Sequence, residues 1–213
     1  MQKNTEKLYK IAFTLALITI FYNILEGIVS TYFGYEDETL ALFGFGIDSF
    51  IEVISGLGIA HMIIRIKNNP ESNRDQFEKT ALKITGASFY LLVVGLVSTS
   101  IYNIVIGHKP ETTFWGIIIS SLSILTMGFL VIAKKYVGKK LNSQPIISDA
   151  NCTKVCLYMS IILLLSSGIY AVFKIPYIDS IGTLGLAWFA FNEGKECFEK
   201  AKSDKMCCCD DCH

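Results

Sequence analysis

Residues 42–54 read LFGFGIDSFIEVI and hold two acidic residues, Asp48 and Glu52, in an otherwise apolar run. Residues at positions i and i+4 share one face of a helix, so the two side chains point the same way. A charged side chain in hydrocarbon is energetically costly and by default indicates function. The pair therefore predicts a functional site inside a membrane. Two structural alternatives are a water-filled cleft and hydrogen bonds to Ser, Thr or Asn of a neighbouring helix.

A second pair, Cys152 and Cys156, repeats the same spacing at the start of another apolar segment. Buried Cys also packs as a small apolar residue, so the spacing alone leaves a structural role open. Two helices that each present two ligand groups could form a tetrahedral site for a divalent metal. Counted from the helix ends, the acids lie roughly 12–18 Å and the thiols roughly 9–15 Å into a core of about 30 Å, from opposite sides. We expect the pairs to meet near mid-membrane.

The composition indicates a membrane protein with little polar surface. The 213 residues are 52% hydrophobic and 18% charged, with a mean hydropathy of +0.45. A soluble domain has about 25% charged residues, and a membrane-spanning helix needs about 20 apolar residues. We predict an all-α membrane protein with one six-helix domain over residues 1–200 and a tail over 201–213. The predicted spans are Leu8–Phe33, Leu40–Ile66, Leu82–Ile106, Trp115–Ala133, Ile146–Phe173 and Ile178–Glu196.

The first span is not expected to be a cleaved signal peptide. Its apolar run is too long, and it contains Asn23 and Glu26. The zero net charge gives no indication of a nucleic-acid partner.

Basic residues gather on one side of the predicted spans. They precede the first span, follow the second and fourth, and fill the tail, whereas only Lys109 and Lys174 lie on the other side. Such a bias places both termini in the cytoplasm, and we expect the cell (plasma) membrane. The basic residues assigned to the inner side are Lys3, Lys7, Lys10, Arg65, Lys67, Arg74, Lys79, Lys83, Lys134, Lys135, Lys139, Lys140, Lys195, Lys200, Lys202 and Lys205.

Three segments resemble the transmembrane domain of the cation diffusion facilitator family, proton-coupled exporters of divalent metals. Residues 47–52, IDSFIE, resemble the second helix of the family, which carries Asp or His and then Asp four residues later. Residues 148–156, SDANCTKVC, resemble the entry to the fifth helix, where an Ala-Asp pair precedes His-x-x-x-Asp. Residues 178–182, IDSIG, resemble the start of the sixth.

The resemblance implies a metal site made of Asp48, Glu52, Cys152 and Cys156. Both fifth-helix ligands are Cys here, and Glu stands at the second position of the second helix. The match stops before the family's cytoplasmic ferredoxin-like domain, so we expect a divergent, truncated branch. Two thiolates with two carboxylates form a softer site than two His with two Asp, which favours Zn²⁺ or Cd²⁺ as the transported ion. Since ligands must deprotonate to bind metal, exchange against protons is expected. No resident cofactor is expected.

Further candidate ligands lie in the first span, before Cys152 and in the tail. Glu26 is interpreted as an extra ligand, a proton carrier or a cation partner, or else as hydrogen-bonded to Ser or Thr of a neighbour. Asp149 is a possible additional ligand. The tail has a composition typical of metal binding, with palmitoylation as the main alternative. Its candidate residues are Cys207, Cys208, Cys209, Cys212 and His213.

The sequence favours a transporter over two other classes. A non-transporting membrane metal-binding or sensor protein is the alternative. A thiol oxidoreductase is disfavoured because redox pairs are usually Cys-x-x-Cys, so we expect no enzyme. The family resemblance also implies a homodimer, for which Gly86, Gly95 and Ser98 of the third span would permit close helix approach.

Overall fold

The computed structural model describes residues 2–36, 40–68, 74–107, 114–173 and 178–202. Within these ranges the chain forms six α-helices, which confirms the predicted all-α fold. Of the predicted tail over residues 201–213, Ala201 and Lys202 belong to the last helix, and residues 203–213, with the Cys and His candidates, lie outside the described residues. The helices are α1 (Gln2–Glu36), α2 (Leu40–Asn68), α3 (Arg74–Ile106), α4 (Phe114–Leu141), α5 (Gln144–Phe173) and α6 (Ile178–Lys202).

Five of the described helices, α1 to α5, are long and apolar enough to cross a membrane. Their apolar segments run over Thr5–Tyr35, Leu42–Asn68, Gln76–Val105, Trp115–Leu141 and Gln144–Leu165. In α6 the second half carries Asn192, Glu193, Lys195 and Glu196, which lowers its hydropathy. A membrane crossing by α6 therefore stays a prediction.

The six helices pack as a ring in the order α1, α2, α3, α6, α5 and α4, and α5 also contacts α2 and α3 across it. One buried apolar cluster fills the α1, α2 and α4 side, with Met62, Met127 and Leu130. A second joins α3, α5 and α6 around Phe89 and Val155. Large apolar side chains on the outside face lipid in a membrane protein. They include Phe21, Leu25, Val94, Leu125, Phe129, Ile132 and Trp188.

Helix α4 continues well beyond its predicted end at Ala133, to Leu141. Lys134, expected to follow the fourth span, therefore lies within the helix, as do Lys135, Lys139 and Lys140. Lys134 lies on the buried face of α4 with Val131 and Val137 and is only 2% exposed. Its neighbours Lys135, Lys139 and Lys140 are not buried. A hydropathy boundary marks where apolar residues stop, whereas the backbone hydrogen bonds of the helix continue.

A tight turn joins α4 to α5. Asn142 has a left-handed backbone with φ of 54°. The Asn142 amide donates to the Lys139 carbonyl (3.2 Å), and the Ser143 amide donates to the Gly138 carbonyl (3.0 Å). This pair of bonds is the Schellman ending of a helix, for which Asn is one of the few suitable non-glycine residues. It places α5 directly against α4, so residues on either side of the turn face each other.

Of the small residues expected to form a dimer contact on α3, Gly86 packs within the chain. An added Cβ at Gly86 would lie 2.9 Å from the ring of Phe198 on α6, so Gly86 is covered by this chain rather than open to a second copy. Gly95 and Ser98 instead line an open cavity, and Ser98 is exposed.

We predict that Gly138→Leu lowers the stability of the bundle. A Cβ at this position would lie 2.8 Å from Ile147 Cγ1 and 3.2 Å from the Ile147 backbone nitrogen, so α4 and α5 would be forced apart. Overpacking of this kind costs about 1–3 kcal/mol. The thermal unfolding midpoint in detergent measures the effect. Gly128→Leu on the same helix is the matched control, because a Cβ there meets no described atom within 4 Å. Equal midpoints for the two variants would contradict the close approach.

Candidate functional site

Helices α2 and α5 run antiparallel and pair polar side chains at three successive levels. Cys156 Sγ donates to Asp48 Oδ2 (3.3 Å). One turn further along α2, the Thr153 hydroxyl donates to Glu52 Oε1. At the third level, the Ser55 hydroxyl donates to Asp149 Oδ1 (2.7 Å) and also lies 3.2 Å from the Thr85 hydroxyl of α3. The register brings the two predicted ligand pairs together.

The carboxylates at the first two levels are buried and only partly satisfied. Asp48 is 4% exposed and Glu52 is 1% exposed. Asp48 Oδ1 and Glu52 Oε2 have no hydrogen-bond partner among the described residues. A buried carboxylate oxygen without a partner is energetically unfavourable and calls for an explanation such as an ion or water. These two oxygens are therefore the donor atoms most available to a cation.

The two predicted thiols are buried free cysteines on α5. Cys156 donates to Asp48 and lies near enough to Glu52 to interact with it electrostatically. Cys152 is close enough to Glu52, Asp149 and Asp48 to interact electrostatically. In this conformation no three His, Cys, Asp or Glu residues of the described ranges converge as a metal-binding group. Cys156 and Asp48 are thus in direct contact, and joint coordination of one ion by the four predicted ligands stays a prediction.

A lysine enters this cluster from α4. Lys134 Nζ lies 2.8 Å from Asp149 Oδ2 and 4.0 Å from Glu52 Oε1. It also donates to the Thr153 hydroxyl at 2.8 Å. Asp149, proposed from the sequence as a possible ligand, is 1% exposed. Its carboxylate is paired with the ammonium of Lys134. The α4–α5 turn explains the arrangement, because it places Lys134 opposite Asp149 and Thr153.

Glu26 of α1 borders the cluster with both oxygens occupied. Tyr22 of the same helix donates to its Oε1, and Ser49 of α2 donates to its Oε2, each at 3.0 Å. This geometry is the hydrogen-bonded alternative considered for Glu26. Ser49 follows Asp48 in sequence, so Glu26 is tied to the same segment of α2.

A cavity of about 230 Å³ opens beside Asp48, between α2, α3, α5 and α6. It extends past Gly95, Ser98 and Thr99 to Asn103, near the end of α3. Its lining is mainly apolar, with hydroxyl and amide groups on the α3 side. Asp48 therefore borders the cavity, on the side towards one end of the bundle, whereas Lys134 and Asp149 lie on the other side of Glu52.

Sequence reasoning missed three members of the cluster: Lys134, Thr153 and Ser55. Lys134 had a readable signal, because it continues the apolar face of α4 formed by Met127, Leu130 and Val137. Thr153 and Ser55 share a helix face with the predicted ligands, but many Ser and Thr residues do so. Only the register of α2 against α5 selects them.

We predict that Thr153→Val lowers the thermal unfolding midpoint. The substitution keeps the shape but removes the hydroxyl that Lys134 and Glu52 share, and an unsatisfied buried group costs about 1–3 kcal/mol. Thr14→Val is the control, because the Thr14 hydroxyl bonds the Lys10 carbonyl of its own helix at an exposed position. An equal, small effect of both substitutions would argue against a bridging role for Thr153.

Comparison with known proteins gives concordant matches. Residues 11–204 match the sequence profile of the cation efflux transmembrane domain. The chain is 27% identical over 175 residues to an uncharacterised transporter of Methanocaldococcus jannaschii, covering 80% of this chain and 62% of that protein. It is 31% identical over 144 residues to transmembrane protein 163 of Xenopus laevis, covering 67% of this chain and 50% of that protein. The matched region thus spans about three fifths of the length of the first relative and one half of the length of the second.

Proposed function

The chain belongs to the cation efflux family, the cation diffusion facilitators, and matches the transmembrane domain of that family. From this membership we propose that it exports a divalent metal cation across a membrane. Its five apolar helices and this family make it an integral, multi-pass membrane protein. The proposed binding site consists of Asp48, Glu52, Cys152 and Cys156, near the middle of the bundle.

One observation carries the proposal: Asp48 Oδ1 and Glu52 Oε2 are buried and without a hydrogen-bond partner among the described residues, and the other oxygen of Asp48 contacts the Cys156 thiol. A transported ion must shed its water and find replacement donors, and two carboxylate oxygens with two sulfurs supply four. The cavity beside Asp48 supports a route from this site to one side of the membrane. In the proposed orientation, with both termini in the cytoplasm, that side is the outer one and the membrane is the plasma membrane.

The donor set favours Zn²⁺ or Cd²⁺ among divalent cations. Thiolate sulfur is a soft ligand, and tetrahedral sites of sulfur with oxygen or nitrogen suit Zn²⁺. Two thiolates and two carboxylates carry more negative charge than a divalent ion cancels. Protons that occupy these groups in the metal-free state would leave on metal binding, which gives the chemical basis for metal–proton exchange.

A homodimer is proposed on the family resemblance. Gly86 packs against Phe198 within the chain, so Gly95 and Ser98 are the residues of α3 that stay candidates for this contact.

We predict that Asp48→Ala and Cys156→Ala each abolish metal transport. Each substitution removes one donor from the proposed four, which leaves the coordination shell open. The measurement is Zn²⁺ or Cd²⁺ uptake into proteoliposomes that carry a metal-sensitive dye, with a pH gradient and with a protonophore. Cys197→Ala is the control, because Cys197 is a buried free thiol at the α3–α6 contact, outside the site. Near-normal flux in either well-folded variant would refute the site, and flux indifferent to the pH gradient would refute proton exchange.

The same experiment separates transport from metal sensing. A sensor or storage protein would bind Cd²⁺ at these residues without flux. Membership of the cation efflux family and the likeness to a protein named as a transporter support transport, and they point away from an enzyme.

We propose further that the tail supplies metal to the site. Cys207, Cys208, Cys209, Cys212 and His213 could hold an ion near the transport domain and raise its local concentration. Deletion of Met206–His213 should raise the metal concentration for half-maximal flux and leave the maximal rate unchanged. Complete loss of flux would instead place the tail on the transport pathway. An unchanged half-maximal concentration would favour lipidation of the tail or no role in transport.

A further inference from the structure

Lys134 is, within the described part of the chain, the one lysine or arginine that is fully buried. Its ammonium contacts Asp149 and Thr153 and lies 4.0 Å from the carboxylate of Glu52. A buried ammonium needs a counter-charge, and Asp149 alone at 2.8 Å supplies one. The position of Lys134 beside Glu52, on the side opposite the cavity, goes beyond what pairing with Asp149 requires.

We propose that Lys134 is a tethered cation that competes with the transported metal for the carboxylates of the site. This inference rests on the proposed function. With no metal bound, the ammonium balances Glu52 directly and through the shared Thr153 hydroxyl. A divalent ion ligated by Glu52 would lie close to a fixed positive charge, so the ion and the ammonium disfavour each other. Lys134 thereby weakens metal binding and assists metal release.

Competition predicts opposite changes in Cd²⁺ affinity when the two members of the ion pair are substituted. Lys134→Met removes the competitor, so Cd²⁺ should bind about tenfold more tightly, within the usual range for coupling between two ligands. Asp149→Asn removes the main counter-charge of the ammonium and leaves it to Glu52 alone, so Cd²⁺ should bind more weakly. If the pair were only structural, both substitutions would break the same interaction and change affinity in the same direction.

Cd²⁺ binding is measured on the full chain in nanodiscs, by the ultraviolet absorption of cadmium–thiolate bonds and by calorimetry. Lys134→Arg, which keeps the charge, should bind Cd²⁺ as weakly as the wild type. Lys135→Met is the matched control, because Lys135 is the next residue of α4 and lies outside the buried face. In proteoliposomes, Lys134→Met should lower both the concentration for half-maximal flux and the maximal rate, since release becomes slower.

Thermal unfolding gives a readout independent of transport. Lys134→Met should unfold at a lower temperature than the wild type without metal, because it leaves buried carboxylates unpaired. Addition of Cd²⁺ should raise its midpoint by more than it raises that of the wild type. If Lys134→Met does not fold, the substitution is repeated in the Asp149→Asn background, where removal of Lys134 should still tighten Cd²⁺ binding.

The outcomes distinguish this inference from the proposed function. Normal wild-type flux, with Cd²⁺ affinity unchanged on removal of Lys134, would overturn the competition and leave the transport proposal standing. If Lys134→Arg bound Cd²⁺ as tightly as Lys134→Met, the competition would also be overturned, because the positive charge at this position would not affect the affinity. A wild-type protein that neither binds nor transports Cd²⁺ or Zn²⁺ would overturn both.

Discussion

The electrostatic cost of charge inside a low-dielectric bundle governs how α2, α4 and α5 are arranged. Asp48, Glu52 and Asp149 are all buried, and each lies within reach of a donor on a neighbouring helix. A buried ion pair contributes little net stability, but breaking one is strongly unfavourable. The polar contacts therefore act mainly by disfavouring other packing arrangements of these helices. Sliding α5 along α2 by one turn would break the three polar contacts together, so these contacts favour the observed register.

The same constraint separates the cluster into two parts with different chemistry. Around Asp48 and Cys156 the partners are a thiol and a cavity, and a carboxylate oxygen is left over among the described residues. Around Asp149 both oxygens are engaged, by Ser55 and Lys134. Glu52 belongs to both parts, because one oxygen faces Thr153 and the other has no partner among the described residues. A substitution of Glu52 would therefore alter the contacts in both parts of the cluster.

The helices could be predicted from sequence because hydropathy and helix length follow directly from the thickness of a bilayer. The meeting of the Asp48–Glu52 and Cys152–Cys156 pairs also followed, since helix rise converts residue number into depth. Lys134 escaped prediction because a Lys-Lys pair at the end of an apolar run looks like a membrane boundary, and hydropathy does not separate two faces of one helix. Thr153 and Ser55 depend on which residues face each other between helices, which no periodicity within a single helix specifies. The tail candidates lie outside the described residues.

The turn at Asn142 has a mechanical consequence. With the last turn of α4 closed by backbone hydrogen bonds and only Asn142 and Ser143 between the helices, α4 and α5 form a stiff hairpin rather than two elements on a hinge. Lys134, Asp149 and Thr153 all belong to this hairpin and travel together when it moves. Glu52 belongs to α2, outside it. Any tilting of the hairpin against α2 therefore preserves the Lys134–Asp149 distance and changes the separation of Lys134 from Glu52, so that a rigid-body motion becomes a change in the electric field at the site.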